Sequence, residues 1–406
     1  MGGAETSLRE LLASLRAVQP GWELWLVLGE DGPLASKARE LGVKVVVEPF
    51  PAAVGRLGDA GRDPLAVLRS VPKAIAGTIR YRRRLARIYG DVKPDVIHTN
   101  GLKMHLLGSW TCARGKPVVW HIHDYLSPRP LMSRLLSWNR KNCAAAIANS
   151  ESVASDLKAL MPDLKVAKIY NAIDFDRFAP RGDRLDLDAR SGLPAAAPGT
   201  VRVGLVATFA RWKGHRTFLE ALALLPEEAK VRGYVIGGPI YQTDGSQWSL
   251  SGLQQEADRL GLAGRVGFTG FVDDPAPAMR SLDIVVHAST QPEPFGMVIV
   301  EAMACEKAVI ASDAGGASEL FVDGESALAH PPGNAAVLAQ QIARLASDEN
   351  LRRRLGTTAR AMAERVYHRK RLAGELLSLY RDISHTPIEM RPGSVQIEPS
   401  LPRIVH

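Results

Sequence analysis

The chain has 406 residues, 46% hydrophobic and 23% charged, which suits two globular domains of ordinary size and excludes a disordered or fibrous protein. A net charge of +8 and a pI near 9.4 fit anionic partners such as nucleotides or phospholipid headgroups, while no zinc-finger spacing, RNA-binding signature or long basic run points to nucleic acid. Three scattered cysteines, Cys112, Cys143 and Cys305, argue against a disulfide framework or thiolate metal site. No apolar run reaches the roughly 20 residues of a membrane span, and the opening residues show no basic-then-apolar leader pattern, so a cytoplasmic setting is expected.

Short β-branched runs alternate with helical patterns from the start. "ELWLVLG", "VKVVVEP", "PDVIHTN", "PVVWHIH", "AAAIANS" and "VAKIYN" lack polar alternation and predict buried strands of a parallel sheet in a first domain, residues 1–175. The Pro-, Gly-, Asp- and Arg-rich stretch "DFDRFAPRGDRLDLDARSGLPAAAPGT" predicts a connection, placed at 176–200. The rhythm resumes with "VRVGLVATF", "KVRGYVIGG", "RVGFTGF", "LDIVVHAS" and "KAVIASD" in a second domain, 201–365. A final helical pattern, about Lys370 to Asp382 within 366–383, is expected to cross back to the first domain. Residues 384–406, with four prolines and no period, read as a loose tail.

"EPFGMVIVE" places Glu293 and Glu301 eight positions apart, about 80° from each other on a helix wheel, so one helical face would not hold both. Pro294 and Gly296 suit the mouth of a helix. The strand "LDIVVHAS" should therefore end near Ser289 and a helix begin around Met297, with Glu293 in the loop and Glu301 one turn inside. The amides of Phe295, Gly296, Met297 and Val298 then form an oriented donor set suited to phosphate or hydroxyl oxygens. Further upstream, "ARWKGHRTF" puts Arg211, Lys213, His215 and Arg216 at a helix start, where cations oppose the macrodipole unless an anion is bound.

The stretch "STQPEPFGMVIVEAMACEKAVIASDAGGASELFVDGESA" closely resembles the donor-site segment of the retaining glycosyltransferases of family 4, whose hallmark is Glu-x7-Glu. "GGAE" at Gly2 to Glu5, "KPDVIHTN" at Lys93 to Asn100, "IANSESV" at Ile147 to Val153, "YNAIDFDRF" at Tyr170 to Phe178 and "WKGH" at Trp212 to His215 look like further landmarks, so the likeness covers about residues 1 to 383. The resemblance implies the GT-B fold, two Rossmann-like domains whose parallel sheets face each other across a cleft. It implies transfer of a sugar from a nucleoside-diphosphate sugar to a glycan or lipid-linked acceptor, in cell-envelope or exopolysaccharide biosynthesis.

Residue by residue, the resemblance implies that Glu301 holds the ribose hydroxyls, Glu293 contacts the transferred sugar, and the amides of Phe295 to Val298 serve its hydroxyls and the diphosphate. Lys213 and Arg211 would face the diphosphate, where charge grows as the glycosidic bond breaks. Many members carry an arginine five residues before the lysine. That position is Thr208 here, which leaves Arg211 to supply the charge from another point of the loop. His123 aligns with the family's active-site histidine, and Gly2 and Gly3 with its donor-facing loop. No Asp-x-Asp pair ends a strand, since "DLD" at Asp186 to Asp188 lies in the predicted connection, so neither a metal nor another cofactor is expected. "HIHD", His121 to Asp124, has no third ligand beside it, and His98 closes the strand "PDVIH". Retention could proceed through a carboxylate nucleophile or by front-face substitution, and the family resemblance implies the latter.

The stretch Leu68 to Gly90 carries Arg69, Lys73, Arg80, Arg82, Arg83, Arg84 and Arg87 against an apolar stripe, a pattern shared by solvated helices and by helices lying on an anionic membrane surface. Peripheral attachment to the inner face of the membrane is one reading of it. A Rossmann oxidoreductase is a poor rival because no G-x-G-x-x-G turn follows a strand. A GT-B epimerase or phosphorylase and a two-lobed sugar- or nucleotide-binding protein stand as alternatives. Finally, Leu8, Leu11, Leu12 and Leu15 form a helical stripe with only Met1 ahead of the glycine pair. The resemblance places a central strand before such a loop, so a missing first strand, roughly 10–20 residues upstream, is expected.

Overall fold

The computed structural model describes residues 2–51, 64–112, 115–226, 228–239 and 246–384, with the side chains of 64–74 outside that description. Met1 and almost all of the expected tail, 385–406, also lie outside it. The chain divides into two compact units. One takes in residues 1–149, 154–172 and 369–406, and the other 150–153 and 173–368.

The strands of the first unit fall where the apolar runs predict them, in two parallel sheets. Trp25–Leu28 (β1) pairs with Lys44–Val47 (β2), while Ile97–Thr99 (β3), Val118–Ile122 (β4), Ala145–Ala148 (β5) and Val166–Lys168 (β6) pair in that order. Among the described residues no strand pairs with β1 opposite β2 or with β3 opposite β4. β4 and β5 are buried throughout, as their continuous apolar sequence requires, but β1 and β2 are only partly buried. The expectation of fully buried strands fails there because, among the described residues, each strand of this two-stranded sheet has one open edge.

Two helical layers cover these sheets. Gly3–Val18 (α1) packs against Pro33–Glu40 (α2) and Arg369–Ile383, the chain's last helix. The stripe Leu8, Leu11, Leu12 and Leu15 meets Leu34, Ala38, Val119, Ile147, Leu372 and Leu376 in one core. Each buried leucine contributes about 1.5–3 kcal/mol relative to exposure. The other layer holds Pro64–Val92 (α3), Leu102–Thr111 (α4) and Pro130–Asn139 (α5), where α3 packs on α4 and α4 on α5. Successive right-handed crossovers from β3 to β4 to β5 step the same way across the sheet and so leave α4 and α5 on one face.

The second unit holds one parallel six-stranded sheet built from Val201–Val206 (β7), Val231–Ile236 (β8), Val266–Gly270 (β9), Ile284–His287 (β10), Ala308–Ser312 (β11) and Leu328–His330 (β12). Their order is β9-β8-β7-β10-β11-β12. The stretch expected as the connection, 176–200, packs onto this sheet. Asp186 caps a short helix, Leu187–Arg190, by accepting from the Ala189 amide. Asp188 is buried and accepts from Tyr234 Oη at 2.6 Å, Arg232 Nη1 at 2.7 Å, Arg202 Nη2 at 3.2 Å and the Ala196 amide. A composition rich in turn-formers hid this, because polar anchors such as Asp188 with its four donors hold the segment without any apolar periodicity.

Candidate active site

In an open parallel sheet, the crevice beyond the carboxyl ends of the strands opens where the strand order reverses. In the second unit that point lies between β7 and β10, which pair in register, Val203 opposite Ile284. The loops leaving these two strands carry Lys213 and Glu293. After β7 the chain makes a 3-10 turn, Arg211–Lys213, then Gly214 at φ +75°. A Cβ on Gly214 would sit 1.8 Å from the Ala288 carbonyl oxygen, so only glycine lets this loop lie against the end of β10. The Thr290 amide donates to the Trp212 carbonyl at 2.7 Å and ties the two loops together.

Glu293 is buried, 7% exposed, and not the solvated loop acid that its position ahead of a helix allows. Lys213 Nζ donates to its Oε1 at 2.5 Å, while His287 Nε2 and Ser289 Oγ meet its Oε2 at 2.7 and 2.6 Å. Burial alone would push this carboxyl up. The Lys213 ammonium and the His287 ring outweigh it and hold Glu293 well below the usual carboxylate range. The result is a fixed negative charge with a cation beside it.

The helix expected to begin around Met297 does so, running Met297–Ala304 behind Gly296 at φ +99°, a cap conformation that a side chain would strain. The preceding strand stops at His287, two residues short of the expected end. Glu301 lies one turn inside this helix and is half-buried. First-turn amides such as those of Met297 and Val298 have no intrahelical acceptor.

Arg211 faces the Trp248 ring, 4.3 Å from guanidinium to centroid. His215 does not join the cations. It is fully buried, edge-on to Phe209, and burial followed by the nearby Lys213 charge pushes it down to about 4. The cations precede the helix His215–Ala223 in the 3-10 turn, and Arg216 pairs with Glu220 and Glu256.

His123, Gly2 and Gly3 belong to the first unit. Gly2 caps α1 and Gly3 is its first residue, with the Gly2 amide donating to Glu5 Oε2 at 2.7 Å. His123 Nε2 meets Asn100 Oδ1 at 2.7 Å, and Asn100 Nδ2 donates to the Ala4 carbonyl, which brings the start of α1 and His123 together. With Asn100 accepting, Nε2 carries the proton. Nδ1 is left as a buried lone pair without a partner among the described residues. Burial and the neighbouring His98 push His123 down to about 3. His121 lies beside it, ring centroids 4.1 Å apart, and contacts His98 Nε2 at 3.2 Å, while His98 Nδ1 contacts Tyr380 Oη at 2.7 Å.

Sequence reading missed three residues that hold this chemistry in place: His287, Ser289 and Asn100. The first two carried a signal, a histidine and a serine interrupting an otherwise apolar strand run. Asn100 stood only as part of a landmark.

The profile of the glycosyl transferases group 1 matches residues 196–362, and that of Glycosyltransferase Family 4 matches residues 1–177. A D-inositol 3-phosphate glycosyltransferase of Streptomyces avermitilis is 32% identical over 392 residues, 89% of this chain and 79% of that one. The chain belongs to glycosyltransferase family 4. Another D-inositol 3-phosphate glycosyltransferase, from Streptomyces bingchenggensis, is 33% identical over 54% of this glycosyltransferase and 49% of its own length, so that match spans about half of the relative. Among solved structures, Anabaena Alr3699/HepE in complex with UDP is similar with a TM-score of 0.76 and 26% identity, covering 94% of this chain and 96% of that one. The Rossmann-like α/β units of this family 4 enzyme are thus those of a GT-B glycosyltransferase. Among the described residues no helix is long and apolar enough to cross a membrane.

Proposed function

We propose that this glycosyltransferase takes a sugar from a nucleoside-diphosphate sugar and places it, with retention of configuration, on a glycan or lipid-linked acceptor of cell-envelope or exopolysaccharide biosynthesis. The observation that carries this reading is the ion pair of Lys213 with the buried Glu293 at the β7/β10 reversal, beside the first turn of Met297–Ala304. Lys213, Arg211 and the amides of Phe295 to Val298 would meet the diphosphate, and Glu301 the ribose. Glu293 would accept hydroxyls of the transferred sugar. His123 of the first unit, whose uncharged Nδ1 can accept a hydrogen bond from a hydroxyl, would serve the reaction with Gly2 and Gly3 on the donor side. No metal is required, because Lys213 offers its charge to a leaving diphosphate.

Support for the donor class comes from the Anabaena protein, which was solved with UDP and also with UDP-glucose. Support for front-face substitution comes from Glu293 itself. Three hydrogen bonds from Lys213, His287 and Ser289 draw on its charge and weaken it as a nucleophile, while leaving it able to accept a further hydroxyl. In that route the departing phosphate takes the acceptor's proton. Calorimetry with UDP, GDP and ADP, followed by a panel of nucleotide sugars read for UDP or GDP release, tests the proposal. Binding of one nucleotide and its release from the matching sugar donor is expected. No binding to any of them sinks the donor assignment, and binding with no turnover toward any acceptor or water favours a binding protein.

A further inference from the structure

The two helical layers of the first unit differ in what they show to solvent. On the α3–α4–α5 layer Trp138 is 88% exposed, Leu131 72%, Ile75 56%, Ile79 45% and Trp110 41%. None of the exposed large apolar side chains lies on α1, α2 or Arg369–Ile383. Leu131, Leu135 and Trp138 stand at i, i+4 and i+7 of α5, with Arg134 among them and Lys141 one turn on, so one stripe of this helix is apolar and basic together. Ile79 and Trp110 line one shallow groove with Arg82 and Arg83, and Arg82 Nη2 donates to the Trp110 carbonyl, joining α3 to α4.

Charge follows the same division. Among residues whose side chains are described, α3, α4 and α5 carry seven cations and one carboxylate, Asp91, whereas α1, α2 and the last helix mix eight cations with five carboxylates. A solvated face needs neither exposed tryptophans nor a single sign of charge. Tryptophan and leucine set among arginine and lysine match the boundary of an anionic bilayer, where rings sit at headgroup level and cations meet lipid phosphates.

We propose that the α3–α4–α5 face binds the surface of an anionic lipid bilayer, with Trp138 and Leu131 inserted and Arg83, Arg134 and Lys141 at the headgroups. The basic pattern of α3 alone could not separate this from a solvated helix. The apolar stripe of α5 on the same layer does. The inference stands on this face and not on the donor chemistry, so either can fail without the other.

Sedimentation of the full chain with vesicles of phosphatidylcholine alone, or with phosphatidylglycerol added, tests it. Binding to the anionic vesicles, weakened by salt, is expected. Leu131→Ser with Trp138→Ser should weaken it about tenfold or more while leaving the unfolding transition unchanged, because both side chains already stand in water. Arg83→Gln with Arg134→Gln should reduce the preference for anionic over neutral vesicles. Brominated acyl chains should quench tryptophan emission, and less so in Trp138→Ser. No binding to anionic vesicles overturns the proposal. Binding lost in salt but untouched by the Leu131 and Trp138 substitutions also overturns it, and leaves an electrostatic surface for an acidic protein instead.

Discussion

Glu293 of the second unit and the histidines at the ends of β3 and β4 in the first are both taken out of water, and burial has opposite outcomes for them. In the second unit Glu293 is enclosed but keeps its charge, because Lys213 and His287 lie within hydrogen-bond distance. In the first, His98, His105, His121 and His123 are all pushed well down, burial being the largest cause for each, and their partners are Tyr380, Thr99, Asn100 and one another. Removing water penalises the charged form in both places, and only an opposite charge at close range reverses the result. The Glu293 cluster thereby presents ionic groups, and the histidine cluster uncharged imidazoles that accept and donate hydrogen bonds.

The comparison breaks most sharply at Lys213. Lys213→Met would strand the Glu293 charge in the interior, and a loss of about 3–5 kcal/mol in urea unfolding is expected. Combining it with Glu293→Gln should restore much of that loss, because the stranded charge is gone. A Lys213→Met protein as stable as the parent would mean the pair is not buried as described.

Kinetics should divide the two glutamates. Glu293→Ala is expected to lower turnover and Glu301→Ala to weaken donor binding, each by about 1.5–3 kcal/mol or roughly tenfold to a hundredfold. Steady-state kinetics and calorimetry read the split, and normal values for both variants would make the motif decorative.

Acid separates the buried histidines from Glu293 by pH window. His98 and His123 have folded values of about 4 and about 3, below the ordinary histidine value of 6.5, so the unfolded chain takes up protons first as pH falls. Stability should be flat above about 6.5 and decline below it, each such histidine forfeiting about 2 kcal/mol by pH 5. Glu293 is depressed instead, so its contribution is complete above its unfolded value of 4.5 and lost only below that. Urea midpoints between pH 7.5 and 5 should therefore fall, and fall less in His98→Gln. An unchanged slope would show that His98 is not held uncharged.

The smallest effect is expected at Arg211. Its guanidinium lies over Trp248 in an exposed setting, so Arg211→Ala should cost about 0.5–1 kcal/mol of stability. Its effect on donor binding should be weaker than that of Lys213→Met. A larger loss of affinity than at Lys213 would reverse their assigned importance.

Much of this was legible without coordinates. Continuous apolar runs marked the strands because a parallel sheet buries both faces, and the Leu8-to-Leu15 spacing marked the buried side of α1. Pro294 and Gly296 marked the mouth of the helix at Met297 because one cannot sit in a helix interior and the other tolerates positive φ. The packing of 176–200 gave no periodic signal, since anchors such as Asp188 are polar, and His215 misled, since its neighbours in sequence are cations while its neighbours in space are apolar.

The amino-acid order by itself determined the parallel α/β class, the strand and helix identities and the Glu-x7-Glu segment, because each rests on local period, turn chemistry or spacing along the chain. Only the tertiary structure decided that Lys213 and Glu293, 80 positions apart, share a buried ion pair, that His287 and Ser289 hold it, and that the apolar stripe of α5 shares a layer with the basic α3. The physical reason is strand order. Neighbours in a parallel sheet need not be neighbours in the chain, so which loops meet at the ends of β7 and β10, and which helices share a layer, is set by how the strands pair.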